Sequence, residues 1–175
     1  IAERNPRVLL LIDQSEVQLF PIEQELLERG HGGVVIPVIA SVLDLPRMEY
    51  VFRRWHPEVV FHAAAYKHVP MQELNPWEAV CNNLLAMKNV TACSIDIGVD
   101  KFVLVSSDKA VRPTNVMGAT KRICELMAAC ANLNRDSALF NSEPLLQNKW
   151  GHLVNCSAIP EDVPIYSASD AGKPG

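Results

Sequence analysis

Between residues 105 and 122 the chain gathers groups able to move protons. Val105-Ser106-Ser107-Asp108-Lys109-Ala110 sets a hydroxyl, a carboxylate and an ammonium side by side, and Asn115-Val116-Met117-Gly118-Ala119-Thr120-Lys121-Arg122 follows. Adjacent acid and base groups suit a reaction that takes a proton from one atom and delivers one to its neighbour. Met117 lies ten residues after Ser107 and Lys121 four further on, a separation that places Met117 and Lys121 on one helix face. Met has no exchangeable proton, so Met117 cannot be a general base. Asp108-Lys109 could also form an exposed turn pair, and Ser106 and Ser107 plain strand-end hydroxyls; Lys121 in register favours a shared site.

The hydropathy pattern supplies elements to position these groups. Arg7 to Ile12 reads as a buried strand ending at Asp13, and Val34 to Ala40, Val59 to His62 and Lys101 to Val105 read as three more. Glu16 to Arg29 carries apolar residues at a rough helical period, with Gly30 as a stop. Asp44 can cap a short helix through Arg54. Asn75-Pro76 opens a long helix to about Ile97, ended by Gly98, and Thr114 or Asn115 can cap another reaching about Leu133. Continuous apolar strands separated by helices predict an α/β fold, a doubly wound, Rossmann-like parallel sheet covered on both faces. Such a fold binds ligands beyond the carboxyl ends of its strands. Asp13, His62 to Tyr66 and Ser106 to Lys109 all fall at such ends. Residues 1–135 read as the folded unit and residues 136–175 as an irregular segment, with Leu153-Val154 its one convincing apolar run.

Composition removes several classes of partner. Hydrophobic residues make up 49% and charged residues 21%, ordinary for a globular chain. A net charge of -4 argues against nucleic acid or an anionic membrane as the main partner. No apolar run approaches the ~18 residues of a membrane span. Cys81, Cys93, Cys124, Cys130 and Cys156 include no CxxC pair and read as reduced thiols of a cytoplasmic protein. His62 and His68 have no second ligand cluster, so no metal site is expected, and Arg53-Arg54 reads as a solvated helix face. The start at Ile1 rather than Met reads as a piece of a longer protein.

The spacing Ser107…Met117-x-x-x-Lys121 resembles the Ser…Tyr-x-x-x-Lys constellation of short-chain dehydrogenases/reductases, with Met in the Tyr position. Adding His62-Ala63-Ala64-Ala65-Tyr66-Lys67-His68-Val69-Pro70, Ser107 to Ala110 and Asn115 to Arg122, residues from about Ile1 to Asn134 resemble one branch of that superfamily's extended members. These are the polysaccharide-biosynthesis UDP-N-acetylhexosamine 4,6-dehydratases, whose long membrane-associated members carry Met there. The resemblance implies an NAD-dependent lyase acting on a UDP-sugar. Hydride leaves C4 for NAD, the C5 proton is removed, the C6 hydroxyl departs and hydride returns to C6. It also implies that Asp108 is the acid and Lys109 the C5 base, with a pKa depressed by burial and by Lys121. Ser107 would hydrogen-bond the C4 hydroxyl, whose proton passes to water or Asp108. Lys121 would bind the nicotinamide ribose. Asp13 would bind the adenosine ribose and repel a 2′-phosphate, favouring NAD over NADP. Asp44 would contact adenine, and Ala63, Ala64 and Ala65 would let the cofactor come close. Lys67 would lie near the dinucleotide or the sugar diphosphate, and Asn83 occupies the superfamily's structural Asn position. Asp13 could instead be a solvated strand end or helix cap, and Tyr66 either a packing or a contact residue.

The same resemblance implies a GxxGxxG-type loop and its strand before Ile1, Ile1 to Asn5 being the tail of the helix that follows them. That strand would lie between the strands at Arg7 and Val59, so the N-terminally truncated sheet should have a gap there. The excised chain is predicted to be poorly stable and inactive. Ser137 to Gly175 matches nothing in the family pattern. A cytoplasmic segment without direct membrane contact is expected, in a parent protein anchored to the inner face of the membrane. Homo-oligomers would form through the helices at 75–97 and 115–133. Two other readings stand beside the dehydratase. A nucleotide-sugar epimerase of the same superfamily would have less need of Asp108-Lys109, and a non-catalytic remnant or interaction domain would account for Met117 and the missing loop.

Overall fold

The computed structural model describes residues 1–133; the expected irregular segment at 136–175, Leu153-Val154 and Cys156 lie outside them. The four apolar runs form β1 (Leu9–Asp13), β2 (Val35–Ile39), β3 (Val59–His62) and β4 (Lys101–Leu104). All pairing is parallel. β1 pairs with β2 from Leu9↔Val35 to Asp13↔Ile39, and β3 with β4 from Val59↔Lys101 to His62↔Leu104. The described strands form two separate two-stranded sheets, so the gap expected between the strands at Arg7 and Val59 is present. An exposed ion pair, Arg7 to Glu58 at 3.0 Å, links the approach to β1 with the approach to β3.

Helices α1 (Glu16–Glu28), α2 (Leu45–Trp55), α3 (Val69–Leu74), α4 (Pro76–Val80), α5 (Ala86–Asp96) and α6 (Val116–Leu133) complete the fold. Strand side chains alternate between faces. One face, with Leu10, Ile12, Ile36, Val38, Val60 and Phe102, meets Met48, Val51 and Phe52 of α2 and Val90 and Cys93 of α5 in a single core. One helical layer thus covers both strand pairs. Helix α1 packs against β1 and β2, and α5 packs against α2 and α6. Eight of the eleven residues of α5 are buried.

Two expectations change. Coverage on both faces fails for the second pair among the described residues, where Val59, Phe61, Val103 and Val105 are 39% to 49% exposed. The single helix expected from Asn75 to Ile97 is α4 and α5 joined by one π-helical turn, Cys81–Leu85. Asn83 lies in this turn, buried, with its side chain bonded to Tyr66 and Thr120 of two other segments. Asn75 does not cap α4 with its side chain; its Nδ2 instead donates to Met71 O at 2.9 Å and closes α3.

None of Cys81, Cys93, Cys124 and Cys130 is disulfide-bonded, and the first three are buried. Burial pushes the thiols of Cys93 and Cys124 up to about 11, leaving them unreactive.

Candidate functional site

Beyond β4 the chain stays extended through Ser107 (φ −150, ψ 153) and then makes one tight helical turn over Asp108–Ala110. Ser107 Oγ accepts from the Lys109 N–H at 3.1 Å, which caps that turn, and donates to Asp108 Oδ1 at 3.1 Å. Lys109 Nζ donates to the same carboxylate oxygen at 3.2 Å. Hydroxyl and ammonium therefore converge on one atom. Hydrogen bonds from Lys109 and Ser107 hold the Asp108 carboxyl below the usual carboxylate range. In this state Asp108 is an ionised acceptor, not a poised acid. The Lys109 side chain is 47% exposed, so the burial expected around it is not there; its ammonium sits in an ion pair with Asp108.

Ser106 points the other way, as strand alternation requires. Its Oγ donates to Glu125 Oε1 of α6 at 2.6 Å, and Arg122 holds the other oxygen of Glu125 at 2.8 Å. Of the two serines only Ser107 joins Asp108 and Lys109.

Helix α6 supplies the second half of the arrangement. Asn115 Oδ1 accepts from the Gly118 N–H at 2.8 Å, so of the two caps read from the sequence, Thr114 and Asn115, it is Asn115 that serves. Met117 is 3% exposed and packs in the interior. Gly118 faces the tight turn so closely that a Cβ there would overlap the Lys109 carbonyl oxygen and stand 3.1 Å from its carbon. Lys121 is buried, and its Nζ donates to Val105 O at 2.9 Å. Desolvation lowers its pKa. His62, buried at the end of β3, is pushed down to about 4 by burial and by the charge on Lys121, and so stays neutral at pH 7.

The loop after β3 is tied to α6 through Asn83. Asn83 Oδ1 accepts from Tyr66 N at 2.8 Å; its Nδ2 donates to Tyr66 O at 3.3 Å and to Thr120 Oγ1 at 2.9 Å. Tyr66 is thus held by its backbone while its ring is partly exposed. Ala63, Ala64 and Lys67 of the same loop are exposed and Ala65 is half-buried. Asp13 is exposed at the end of β1, with Oδ1 accepting from Ser15 N at 2.7 Å. Asp44 caps α2 by accepting from Arg47 N at 3.0 Å. Arg53 is not only a solvated residue, because it bridges α2 to Asp96 of α5 at 3.3 Å. The described residues contain no cluster of His, Cys, Asp or Glu that could hold a metal ion. They also contain no helix long and apolar enough to cross a membrane.

A family model described as polysaccharide biosynthesis protein matches residues 1–151. The chain belongs to that family. The match runs past Asn134, where the motif resemblance ends, and takes in part of the stretch from Ser137 that matched nothing by motif. Among curated relatives, the capsular polysaccharide biosynthesis protein CapD of Staphylococcus aureus is 42% identical over 139 residues, 79% of this chain and 23% of that protein. A UDP-N-acetylglucosamine 4,6-dehydratase (inverting) of Campylobacter jejuni is 38% identical over 127 residues, 73% of this chain and 36% of that protein. A UDP-glucose 4-epimerase of Rickettsia canadensis is 48% identical over 147 residues, 83% of this chain and 42% of that protein. The chain thus spans less than half of each of these relatives. The X-ray structure of Pen from Bacillus thuringiensis superposes with a TM-score of 0.68 at 31% identity, covering 75% of this chain and 39% of that one. The Rossmann-like α/β fold is shared.

Within this polysaccharide biosynthesis family segment, two residues that shape the site escaped the sequence reading. Gly118 carried a signal: a glycine inside a strong helical period marks a close backbone approach. Glu73 of α3 carried none. Its Oε1 accepts from Val116 N, the first residue of α6, at 2.6 Å across a separation of 43 positions, and no local pattern announces such a pairing.

Proposed function

We propose that the protein carrying this chain is a UDP-N-acetylhexosamine 4,6-dehydratase that uses NAD and works in surface-polysaccharide synthesis. Residues 1–135 would form part of its dinucleotide-binding domain. The observation that carries the reading is the convergence of Ser107 and Lys109 on Asp108 Oδ1, at 3.1 and 3.2 Å, beyond the end of β4. The family match and the similarity to a relative named as such a dehydratase support it.

The residues available for the cofactor fit it chemically. Asp13 offers an exposed carboxylate at one strand end, Ala63 and Ala64 add little bulk at the next, and Lys121 spends a single N–H on Val105 O. When bound, NAD would take hydride from C4 of the sugar and return it to C6. The chain's own residues move the protons. Ser107 holds the C4 hydroxyl and passes its proton to Asp108 Oδ1, the route left open because Met117 is buried and aprotic. Asp108, now an acid, delivers that proton to the departing C6 hydroxyl, which leaves as water. Lys109 gives up its ammonium proton to solvent water, then as the free amine takes the C5 proton and returns it to C5. Asp108 rests as a carboxylate held by Ser107 and Lys109, so it can accept a proton before it donates one.

The relative named UDP-glucose 4-epimerase favours a second reading, in which C4 is oxidised and reduced with no loss of water. Incubating the whole protein with UDP-N-acetylglucosamine and NAD separates the two by product. A 4-keto-6-deoxy sugar nucleotide is expected; a C4 epimer alone, with no dehydrated product, would overturn the proposal.

A further inference from the structure

The first turn of any helix leaves backbone N–H groups without partners inside the helix. In α6 those groups decide where Met117 and Lys121 stand, and two of them are held by unrelated means. Gly118 N–H is taken by Asn115, an ordinary local cap. Val116 N–H is taken at 2.6 Å by the carboxylate of Glu73, which belongs to α3. A carboxylate on a helix N-terminus makes a strong, charge-assisted bond and complements the helix dipole. Here the donor and acceptor belong to the two segments that flank the candidate site. Helix α3 continues directly from the loop Ala63–His68, and α6 begins just after the turn bearing Asp108 and Lys109.

We propose that Glu73 is a positioning residue, which locks the first turn of α6 to the helix behind the β3 loop and thereby sets Met117 and Lys121 in register with Ser107, Asp108 and Lys109. This rests on the proposed dehydratase reading for its consequence, but not for its geometry. The Asn83 network ties the same loop to α6 one turn later, at Thr120. With Glu73 removed, the helix keeps its middle and loses its grip at the end nearest the chemistry. An error of about an ångström there is enough to cost up to about a hundredfold in rate.

The test compares Glu73→Ala and Glu73→Gln in the whole protein. Glu73→Ala should lower kcat for the UDP-sugar about tenfold with KM changed less than twofold, and should speed amide exchange at residues 116–118 while leaving α2 and α5 protected. Glu73→Gln keeps an accepting oxygen and should restore at least half of kcat. A kcat within twofold of the parent in Glu73→Ala, with exchange at 116–118 unchanged, would overturn the assignment. So would an equal loss of kcat in both variants. A parent protein that turns over no UDP-sugar would sink the dehydratase reading instead, and the exchange comparison alone would then decide whether Glu73 holds the turn.

Discussion

Replacing Gly118 with alanine sets two effects against each other, and the structure says which wins. By helix propensity alone, Gly118→Ala inside α6 should stabilise by about 1 kcal/mol. The new methyl, however, would overlap the Lys109 carbonyl oxygen, with the carbonyl carbon at 3.1 Å and Asn115 Oδ1 at 3.3 Å. These obstacles are mostly backbone and a side chain already committed to a cap, so neither can swing aside. Clearing them needs α6 and the Asp108–Ala110 turn to part by roughly 1 Å. Overpacking of this kind costs typically about 1–3 kcal/mol; a rigid backbone obstacle belongs at the upper end. The net expectation is a loss of about 1–2 kcal/mol, read as a lower urea midpoint for the whole protein. The same displacement separates Lys121 from Ser107 and Asp108, so kcat should fall by about ten- to a hundredfold. Gly98→Ala provides the comparison. There a methyl meets nothing and the cost is the left-handed backbone (φ +72), about 1 kcal/mol of stability, with kcat unchanged. A Gly118→Ala protein as stable and as active as the parent would refute the close approach of α6 to the tight turn.

Further expectations concern single groups. Asn83→Ala strips a 1% exposed side chain from Tyr66 and Thr120; leaving those groups unpaired should cost about 2–4 kcal/mol in denaturant unfolding, and a loss under 1 would refute the network. Asp108→Asn should cut dehydration at least about a hundredfold with little change in stability, because its oxygen can no longer take and give a proton; product formation near the parent rate would exclude it from the chemistry. Met117→Leu should keep kcat within about threefold, since a buried aprotic residue contributes packing, and a far larger loss would mean that the thioether touches substrate. His62, at about 4 when folded against 6.5 when unfolded, takes up a proton only on unfolding between those values. Stability should therefore be intact above pH 6.5, fall as pH drops towards 4 by up to about 3 kcal/mol, and level off below. His62→Gln should abolish that share of the slope, and identical slopes in parent and variant would count against a buried neutral imidazole.

Much of the fold could be read from local pattern because its signals are local. Apolar runs of strand length placed β1 to β4 within two residues, Asp44 announced the cap of α2, Thr114 or Asn115 that of α6, and Gly98 the stop after α5. The π-helical turn at Cys81–Leu85 was not legible in any local pattern, and the bonds that its Asn83 makes reach Tyr66 and Thr120, 17 and 37 positions away. Helix α3 was missed because six residues beginning Val69-Pro70 show no periodicity worth reading. At the site, residue types and spacing placed Ser107, Asp108 and Lys109 together, yet the ionised state of Asp108 depends on the hydrogen bonds that Lys109 and Ser107 donate to it. Lys121 is similar: its register followed from the sequence, while its bond to Val105 O required the packed strand end.

The division of the strands into two pairs has a consequence for how this part of the molecule comes apart. No ladder hydrogen bond joins the β1–β2 unit to the β3–β4 unit among the described residues; they cohere through the α2–α5 side chains and the exposed Arg7–Glu58 bridge, a weak contact in water. Hydrogen-bonded ladders spread cooperativity along a sheet, and a seam without them lets its two sides open at different free energies. As an excised segment, residues 1–133 should therefore lose structure in two steps. The β1–α1–β2 half, with α1 burying only Leu19, should exchange its amides first, and the half built on α5, the Asn83 network and the site should exchange last.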